Sequence, residues 1–415
     1  MSTLKGNLMF GQSGGPTSVI NASAAGVFIE ALKHTDVIDK VYGAHHGIVG
    51  VLTEDFYVMN EEDPKELELL KYTPSSALGS VRYKLADVNK DETDYKRMLE
   101  VFKKYNIRYF FYNGGNDSMD TCSKISDYMR EAGWEMRVMG VPKTIDNDLF
   151  GTDHSPGFAS AAKYLATATM EVQRDAVVYN TPQITILEVM GRNAGWLTAA
   201  THLANYIDGS GPDLIYLPEV VFDLDKFVKD VDDALDKNNK VVVAVSEGVH
   251  TADGLSIPEL VGEVEYDSFG HKQYGGTGEV LASQLKDKFD IKIRAVEFSL
   301  LQRSAAHLAS QTDIDESFNS GAKAVQAAIA GETDKMVGVR RKEGEEYEVE
   351  YILIPLADVA NAEQIFPEEW IINNGTGVSD EFVKYALPLI QGETQLPKEN
   401  GLPRFARLKK VQGGF

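Results

Sequence analysis

Cysteine is almost absent: Cys122 is the only one in 415 residues. A single thiol cannot close an intrachain disulfide or build a cysteine-based zinc site. Long apolar runs are missing as well, none nearing the ~20 residues that span a bilayer, so no membrane partner is expected. Basic charge is scarce. Lysine and arginine total 41 against 63 aspartates and glutamates, giving a formal charge of −22. That balance opposes nucleic-acid binding, where phosphate neutralisation needs a basic face. Small anionic ligands stay eligible wherever cations gather locally. Low-complexity tracts and short tandem repeats are not found. From Lys5 the chain runs straight into a strand-like stretch and a glycine turn, unlike a secretory signal. A cytoplasmic location is the expectation.

What is present is ordinary globular composition, 43% hydrophobic and 25% charged. The length exceeds one compact core and implies two or three domains. Short apolar strands alternate with amphipathic helices, which argues for an α/β fold of parallel βαβ units. Strands are expected at Gly6–Gly11, Arg108–Asn113, Glu135–Val141, Gln183–Val189, Lys240–Ser246 and Ile291–Phe298. Helices are expected at Val19–Leu32, from Ser118 to about Ala132, at Ala194–Asn205 and from about Arg303 to Ala330. A change of domain is expected near Ser155-Pro156-Gly157, with a return near residue 300. Beyond about residue 332 the pattern is less regular and reads as peripheral to any chemistry. The acidic stretches Asp223–Asp236 and Glu343–Glu350 read as solvated helix or hairpin surface.

Five expected strand ends carry unusual residues. Pro142-Lys143-Thr144-Ile145-Asp146-Asn147-Asp148 packs a cation, a hydroxyl and two carboxylates just beyond a buried strand. In open α/β sheets ligands bind outside the carboxyl ends of strands. Asp146 and Asp148 face the same way if the segment is extended, so one can act as a base while the other holds a metal or tunes its neighbour. A solvated turn is the plain alternative, since Asp and Asn favour turns. Gly11-Gln12-Ser13-Gly14-Gly15-Pro16-Thr17-Ser18 lies between strand and helix. Its glycines let backbone approach a phosphate at a helix N-terminus, or they make a simple tight turn. It is neither a P-loop nor a GxGxxG fingerprint. In Gly114-Gly115-Asn116-Asp117-Ser118, Asp117 or Ser118 can cap the next helix, a role compatible with metal or phosphate contact. Glu188-Val189-Met190-Gly191-Arg192 places an arginine suited to bidentate phosphate contact past a strand. Glu247 ends another strand, with Arg294 and then Leu301-Gln302-Arg303 downstream. Any one arginine reads equally as a surface ion pair; all of them at consecutive strand ends do not.

These blocks, in this order, resemble the phosphofructokinase family over about the first 310 residues. The Thr-Ile-Asp-Asn-Asp and Met-Gly-Arg elements are its most specific parts. The resemblance implies two similar Rossmann-like three-layer αβα domains with the active site in the cleft between them. Residues 1–157 with about 300–360 would bind the donor, 158–299 the sugar phosphate, and 361–415 would be a peripheral C-terminal segment. It implies Mg²⁺-dependent phosphoryl transfer to the 1-hydroxyl of fructose 6-phosphate, in glycolysis or gluconeogenesis, by a homodimer. Asp146 would be the general base, with Thr144, Ile145 and Asp148 beside it orienting substrate and metal. Met190, Gly191 and Arg192 would line the sugar-phosphate pocket, Glu247 would bind sugar hydroxyls, and Arg294 and Arg303 would meet the 6-phosphate. Gly15 would lie against the donor phosphate, and Arg82 would span donor and transition state. Such transfer is mostly positioning and charge neutralisation, which suits several cations and one carboxylate base. No Ser-His-Asp order or metal-binding histidine pair competes.

Two positions bear on the donor. ATP-using members resemble Gly-Gly-Asp-Gly-Ser and Pro-Gly-Thr-Ile-Asp, whereas this chain has Asp117 and Lys143 in place of the glycines. A carboxylate at Asp117 would occupy the place of an α-phosphate and repel it. Lys143 adds a cation that can neutralise pyrophosphate. The pair looks like the pyrophosphate-dependent branch of the family, whose reaction is reversible. Asn116 departs from the usual aspartate at the metal position, although an amide oxygen still ligates Mg²⁺. Gln183 and Leu300 stand where many ATP-dependent members carry an arginine and a histidine, which leaves other sugar phosphates such as sedoheptulose 7-phosphate open. The rivals are an ATP-dependent 6-phosphofructokinase, a non-catalytic regulatory subunit on the same fold, and a kinase for a nucleotide-type substrate.

Overall fold

The structure is a computed structural model that describes residues 3–262, 265–266, 272–273, 276–344, 346–360 and 362–414. The principal strands are β1 (Gly6–Gln12), β2 (Ile38–Ala44), β3 (Phe56–Val58), β4 (Ile107–Gly114), β5 (Arg137–Pro142), β6 (Gln183–Val189), β7 (Leu214–Tyr216), β8 (Lys240–Ser246), β9 (Lys292–Glu297), β10 (Lys335–Arg341) and β11 (Val349–Pro355). Two compact units share them. One comprises Met1–Gly157, Arg303–Gln364 and Gly392–Phe415, the other Phe158–Gln302 and Ile365–Gln391. Residues 361–415, read from sequence as one peripheral segment, are thus divided between the units.

In the first unit a seven-stranded sheet has the order β11-β10-β5-β4-β1-β2-β3. Its central strands are parallel, and β3 and β11 pair antiparallel at the two edges. The β4 sequence Ile-Arg-Tyr-Phe-Phe-Tyr-Asn-Gly shows why the sheet is covered on both faces. Phe110 and Tyr112 pack into one core with Met98 and Met129. Tyr109 and Phe111 turn the other way, into a core with Phe28 and Val325. A strand buried on both sides reads as an unbroken apolar run. Helices Thr93–Lys104 and Asn116–Glu131 cover one face, and Ile20–Ala31 and Gln311–Ile329 the other. The second unit repeats the plan on a smaller scale, with four parallel strands ordered β9-β6-β8-β7. Its core draws on Ile184, Ile186, Val241, Val243, Phe227 and Leu281. The class is α/β, as the alternation implied, and the three-layer arrangement is the one the family resemblance implied.

Several boundaries differ from the sequence reading. The expected helix from Arg303 begins at Gln311, because Ser310 accepts the Asp313 N–H and caps it. Before that cap lie only a short helix, Leu301–Ser304, and a 3₁₀ turn. The expected helix 194–205 is two helices, Trp196–Ala200 and His202–Asp208, meeting at Thr201, whose hydroxyl donates to the Thr198 carbonyl at 2.7 Å. The helix expected from Ser118 starts at Asn116, so Asn116 and Asp117 stand in its first turn. The region after residue 332 is more regular than expected. It supplies β10 and β11, whose apolar stretches are separated by the charged hairpin that hides them in sequence. The acidic stretch 223–236 forms a solvated helix as expected, with Lys226–Asp230 and Lys229–Asp233 pairs on its surface.

Candidate active site

In the first unit, turns at the carboxyl ends of β1, β4 and β5 bring charged groups together. Gly14 has φ +75°, a left-handed conformation that favours glycine. Lys143, just past β5, is buried and donates its Nζ to the Gly15 carbonyl at 2.6 Å. A Cβ added to Gly15 would lie 2.9 Å from Nη1 of Arg303, so Gly15, Lys143 and Arg303 are neighbours. Burial lowers the Lys143 ammonium to about 8; Asp146 and Asp148 oppose that fall, while Arg303 and Arg82 add to it. Arg82 is exposed and follows a loop laced to the glycine turn, where Ser80 Oγ donates to the Gly14 carbonyl at 2.6 Å. Asp117 is exposed in the first turn of its helix, where the helix dipole favours an anion.

The Thr144–Asp148 segment is not extended, so the condition on which Asp146 and Asp148 would face the same way is not met and the turn alternative holds. Asn147 takes φ +57° and its buried Oδ1 accepts the Ser155 N–H at 2.8 Å, which reverses the chain between the two aspartates. Upstream, Thr144 bridges to Gly157 and its Oγ1 accepts the Asp146 N–H at 3.1 Å. Ile145 is buried and anchors the turn. The two carboxylates still feel each other: burial raises the Asp148 pKa, and the Asp146 charge raises it further.

The second unit gathers another group at the ends of β6 and β8. Gly191 has φ +135°, and its N–H donates to Glu247 Oε1 at 3.4 Å. Ser246 Oγ donates to the Gly191 carbonyl at 2.6 Å, and the Met190 N–H donates to Gln302 Oε1 at 3.2 Å. Met190, Gly191, Arg192 and Glu247 therefore share one locality. Arg294 sits mid-strand on the edge strand β9, paired with Asp175 at 3.0 Å.

Residues 7–328 match the Phosphofructokinase family profile. The pyrophosphate--fructose 6-phosphate 1-phosphotransferase of Halomonas elongata is 43% identical over 97% of this chain and 96% of its own length. Its counterpart from Methylococcus capsulatus is 40% identical over 98% of this chain and 96% of its own. The crystal structure of pyrophosphate-dependent phosphofructokinase from Nitrosospira multiformis superposes with a TM-score of 0.89 at 39% identity, covering 99% of both chains. This chain belongs to the phosphofructokinase family.

Phosphofructokinase chemistry calls for a divalent cation, and the residues fit one. Asn116 Oδ1 and Asp148 Oδ1 are buried oxygens with no hydrogen-bond partner, and Asn116 Nδ2 reaches Asp148 Oδ2 at 3.5 Å. Among the described residues no cluster of three or more His, Cys, Asp or Glu could hold a metal. One or two oxygen ligands completed by substrate phosphates is the usual way Mg²⁺ is held.

Sequence reasoning assigned no role to two buried supports, one in each unit. Glu188 Oε1 and Oε2 accept the Gly276 and Gly278 N–H groups, at 3.1 and 2.8 Å, fixing the start of the helix Thr277–Lys286 beside Glu247. Burial pushes Glu188 up to about 7. A carboxylate at the end of an apolar strand was the available signal. The second is His154, behind the Asp146 turn. Its Nδ1 meets Asp153 at 2.9 Å and its Nε2 meets Glu316 at 2.5 Å. Burial disfavours the imidazolium, but Glu316 and Asp153 outweigh it and raise the pKa to about 9. A raised pKa contributes stability that is complete below about 6.5 and lost as pH rises through about 9. Urea unfolding should therefore show stability falling between pH 7 and 9.5. His154→Gln should flatten that fall and cost about 3 kcal/mol at pH 7, because it removes the imidazolium shared by Asp153 and the buried Glu316, whose other contacts include Arg341 and the Tyr347 hydroxyl. A pH profile unchanged by the substitution would contradict this.

Proposed function

We propose that this chain reversibly transfers a phosphoryl group from inorganic diphosphate to the 1-hydroxyl of fructose 6-phosphate, yielding fructose 1,6-bisphosphate and phosphate. The observation that carries the reading is the buried Lys143 ammonium held against the Gly15 carbonyl within the field of Asp146, Asp148, Arg303 and Arg82. A cation kept charged there has an anion to meet, and Asp117 at the neighbouring helix start disfavours the extra phosphate of a nucleotide.

In this reading the first unit takes the donor and the second the sugar phosphate. Met190, Gly191 and Arg192 hold the sugar phosphate, Glu247 accepts hydrogen bonds from its hydroxyls, and Arg294 serves its 6-phosphate. Asp146 takes the proton from the 1-hydroxyl as the oxygen attacks the terminal phosphorus. Lys143, Arg82 and Arg303 neutralise the charge spread over the transferring group, and phosphate departs. Thr144 and Ile145 hold Asp146 in place. Asn116 and Asp148, together with the donor, would hold Mg²⁺, which would supply further charge neutralisation when bound. Diphosphate and the sugar ester have similar transfer potential, hence the reversibility. Glycolytic use, a cytoplasmic location and a homodimer belong to the same proposal. No helix among the described residues is long and apolar enough to cross a membrane.

The test is an assay in both directions with diphosphate or phosphate, with and without Mg²⁺. We expect one phosphate released per bisphosphate formed, loss of turnover on chelation, and recovery with Mg²⁺. No turnover of diphosphate with fructose 6-phosphate would overturn the proposal.

A further inference from the structure

We infer that Gln12 and Asn21, two fully buried amides, are positioning residues that fix the segment carrying Arg82 over the glycine turn. This rests on the role given to Arg82 in the proposed reaction.

Between Thr73 and Glu92 the chain forms neither helix nor strand. An irregular stretch of that length costs much conformational entropy to hold still, and Arg82 within it is exposed. How the backbone before it is held therefore bears on where Arg82 is presented. The first anchor is the amide pair, and neither amide is exposed to solvent. Gln12, the last residue of β1, donates Nε2 to Asn21 Oδ1 at 2.9 Å and accepts the Leu78 N–H on Oε1 at 3.1 Å. Asn21, at the start of helix Ile20–Ala31, donates Nδ2 to the Thr73 carbonyl at 2.9 Å. Its Oδ1 also accepts the Ala77 N–H at 2.9 Å.

Two side chains thus grip residues 73, 77 and 78 by their backbone. Main-chain partners fix Gln12 Oε1 and both ends of the Asn21 amide, and Gln12 Nε2 then faces Asn21 Oδ1, so the orientation of both amides is dictated. The second anchor follows directly. Gly14 N–H donates to the Val81 carbonyl at 3.1 Å, Ser13 Oγ reaches the same carbonyl at 3.3 Å, and Ser80 Oγ donates to the Gly14 carbonyl. Arg82 comes next. The turn meeting Lys143 and the segment presenting Arg82 are therefore one hydrogen-bonded unit, with Gln12 and Asn21 as its buried core. Gln12 lies within the glycine-rich motif, and its side chain is taken up by Asn21 and the Leu78 N–H.

The experiment compares Gln12→Ala in the wild-type and Arg82→Ala backgrounds, reading kcat and KM for diphosphate and sugar phosphate. Hydrogen exchange over residues 75–83 is followed alongside. A displaced catalytic group costs about 10²-fold or less. We expect Gln12→Ala to lower kcat about 30-fold with KM for the sugar phosphate nearly unchanged, to speed exchange in that segment, and to cost almost nothing further once Arg82 is gone. Ser80→Ala, which cuts a later tie at a half-buried position, should show the same pattern and serves if Gln12→Ala does not fold. Equal losses in both backgrounds, or no local change in exchange, would overturn the inference alone. An Arg82→Ala enzyme as active as wild type would overturn it together with the role assigned to Arg82.

Discussion

Asp146→Asn lowers kcat for the diphosphate reaction on the order of 10³-fold, in both directions, with KM values for both substrates moving little. A positioned general base contributes about 10²–10⁴ to rate, and the upper half of that range suits a site with no second base beside the attacking oxygen. Asp148 is committed elsewhere in the proposed reaction, since its Oδ1 is one of the two buried oxygens assigned to the cation. Asparagine keeps the shape of the turn, since the contacts through Asn147 and Thr144 involve backbone and neighbouring side chains. A loss in kcat alone would mean that the missing interaction is made only in the transition state. Steady-state kinetics of the variant would count against the role if kcat stayed within a few-fold of wild type.

Exchanging Asp117 and Lys143 for glycine together should transfer donor preference. Removing Lys143 takes away an ammonium with a built hydrogen bond to the Gly15 carbonyl. Loss of one preorganised donor at a charge-developing site costs about 10²–10³ in kcat, so diphosphate turnover falls by that order. Removing Asp117 relieves like-charge repulsion worth several kcal/mol at a close approach, so kcat/KM for ATP rises by about 10². Asp117→Gly alone should improve ATP use while largely keeping diphosphate use. Lys143→Gly alone should lose diphosphate use without gaining ATP. Should the double variant keep both donor efficiencies of the parent, these two side chains are not what selects the donor.

The sequence made the class of the fold and the chemistry of the strand ends legible for related reasons. In Arg108–Asn113 and Lys240–Ser246 the cores, Tyr109–Tyr112 and Val241–Val245, carry aromatic and apolar residues without a break because both faces are buried, and polar residues appear abruptly at their ends. Less legible was anything set by tertiary contact. Local propensity allowed a turn at Asn147, but the contact that holds it there, the Ser155 N–H on its Oδ1, comes from eight residues away. The start of helix Gln311–Ile329 turns on one serine cap within a run that otherwise reads as helical. Strand β10 is buried on both faces, through Met336 and Val337, yet it and the edge strand β11 were hidden because the turn joining them is strongly charged. Arg303 is instructive in another way: sequence order linked it to Arg294, while the fold sets it against Gly15. The grip of Gln12 and Asn21 on Thr73, Ala77 and Leu78 spans more than fifty residues and leaves no periodic trace.

The most direct measurement is kcat/KM of the unaltered protein for diphosphate and for ATP, side by side, with fructose 6-phosphate and saturating Mg²⁺. The account predicts a preference for diphosphate of at least about 10²-fold, in keeping with the repulsion assigned to Asp117. Equal efficiency with the two donors, or a preference for ATP, would contradict it.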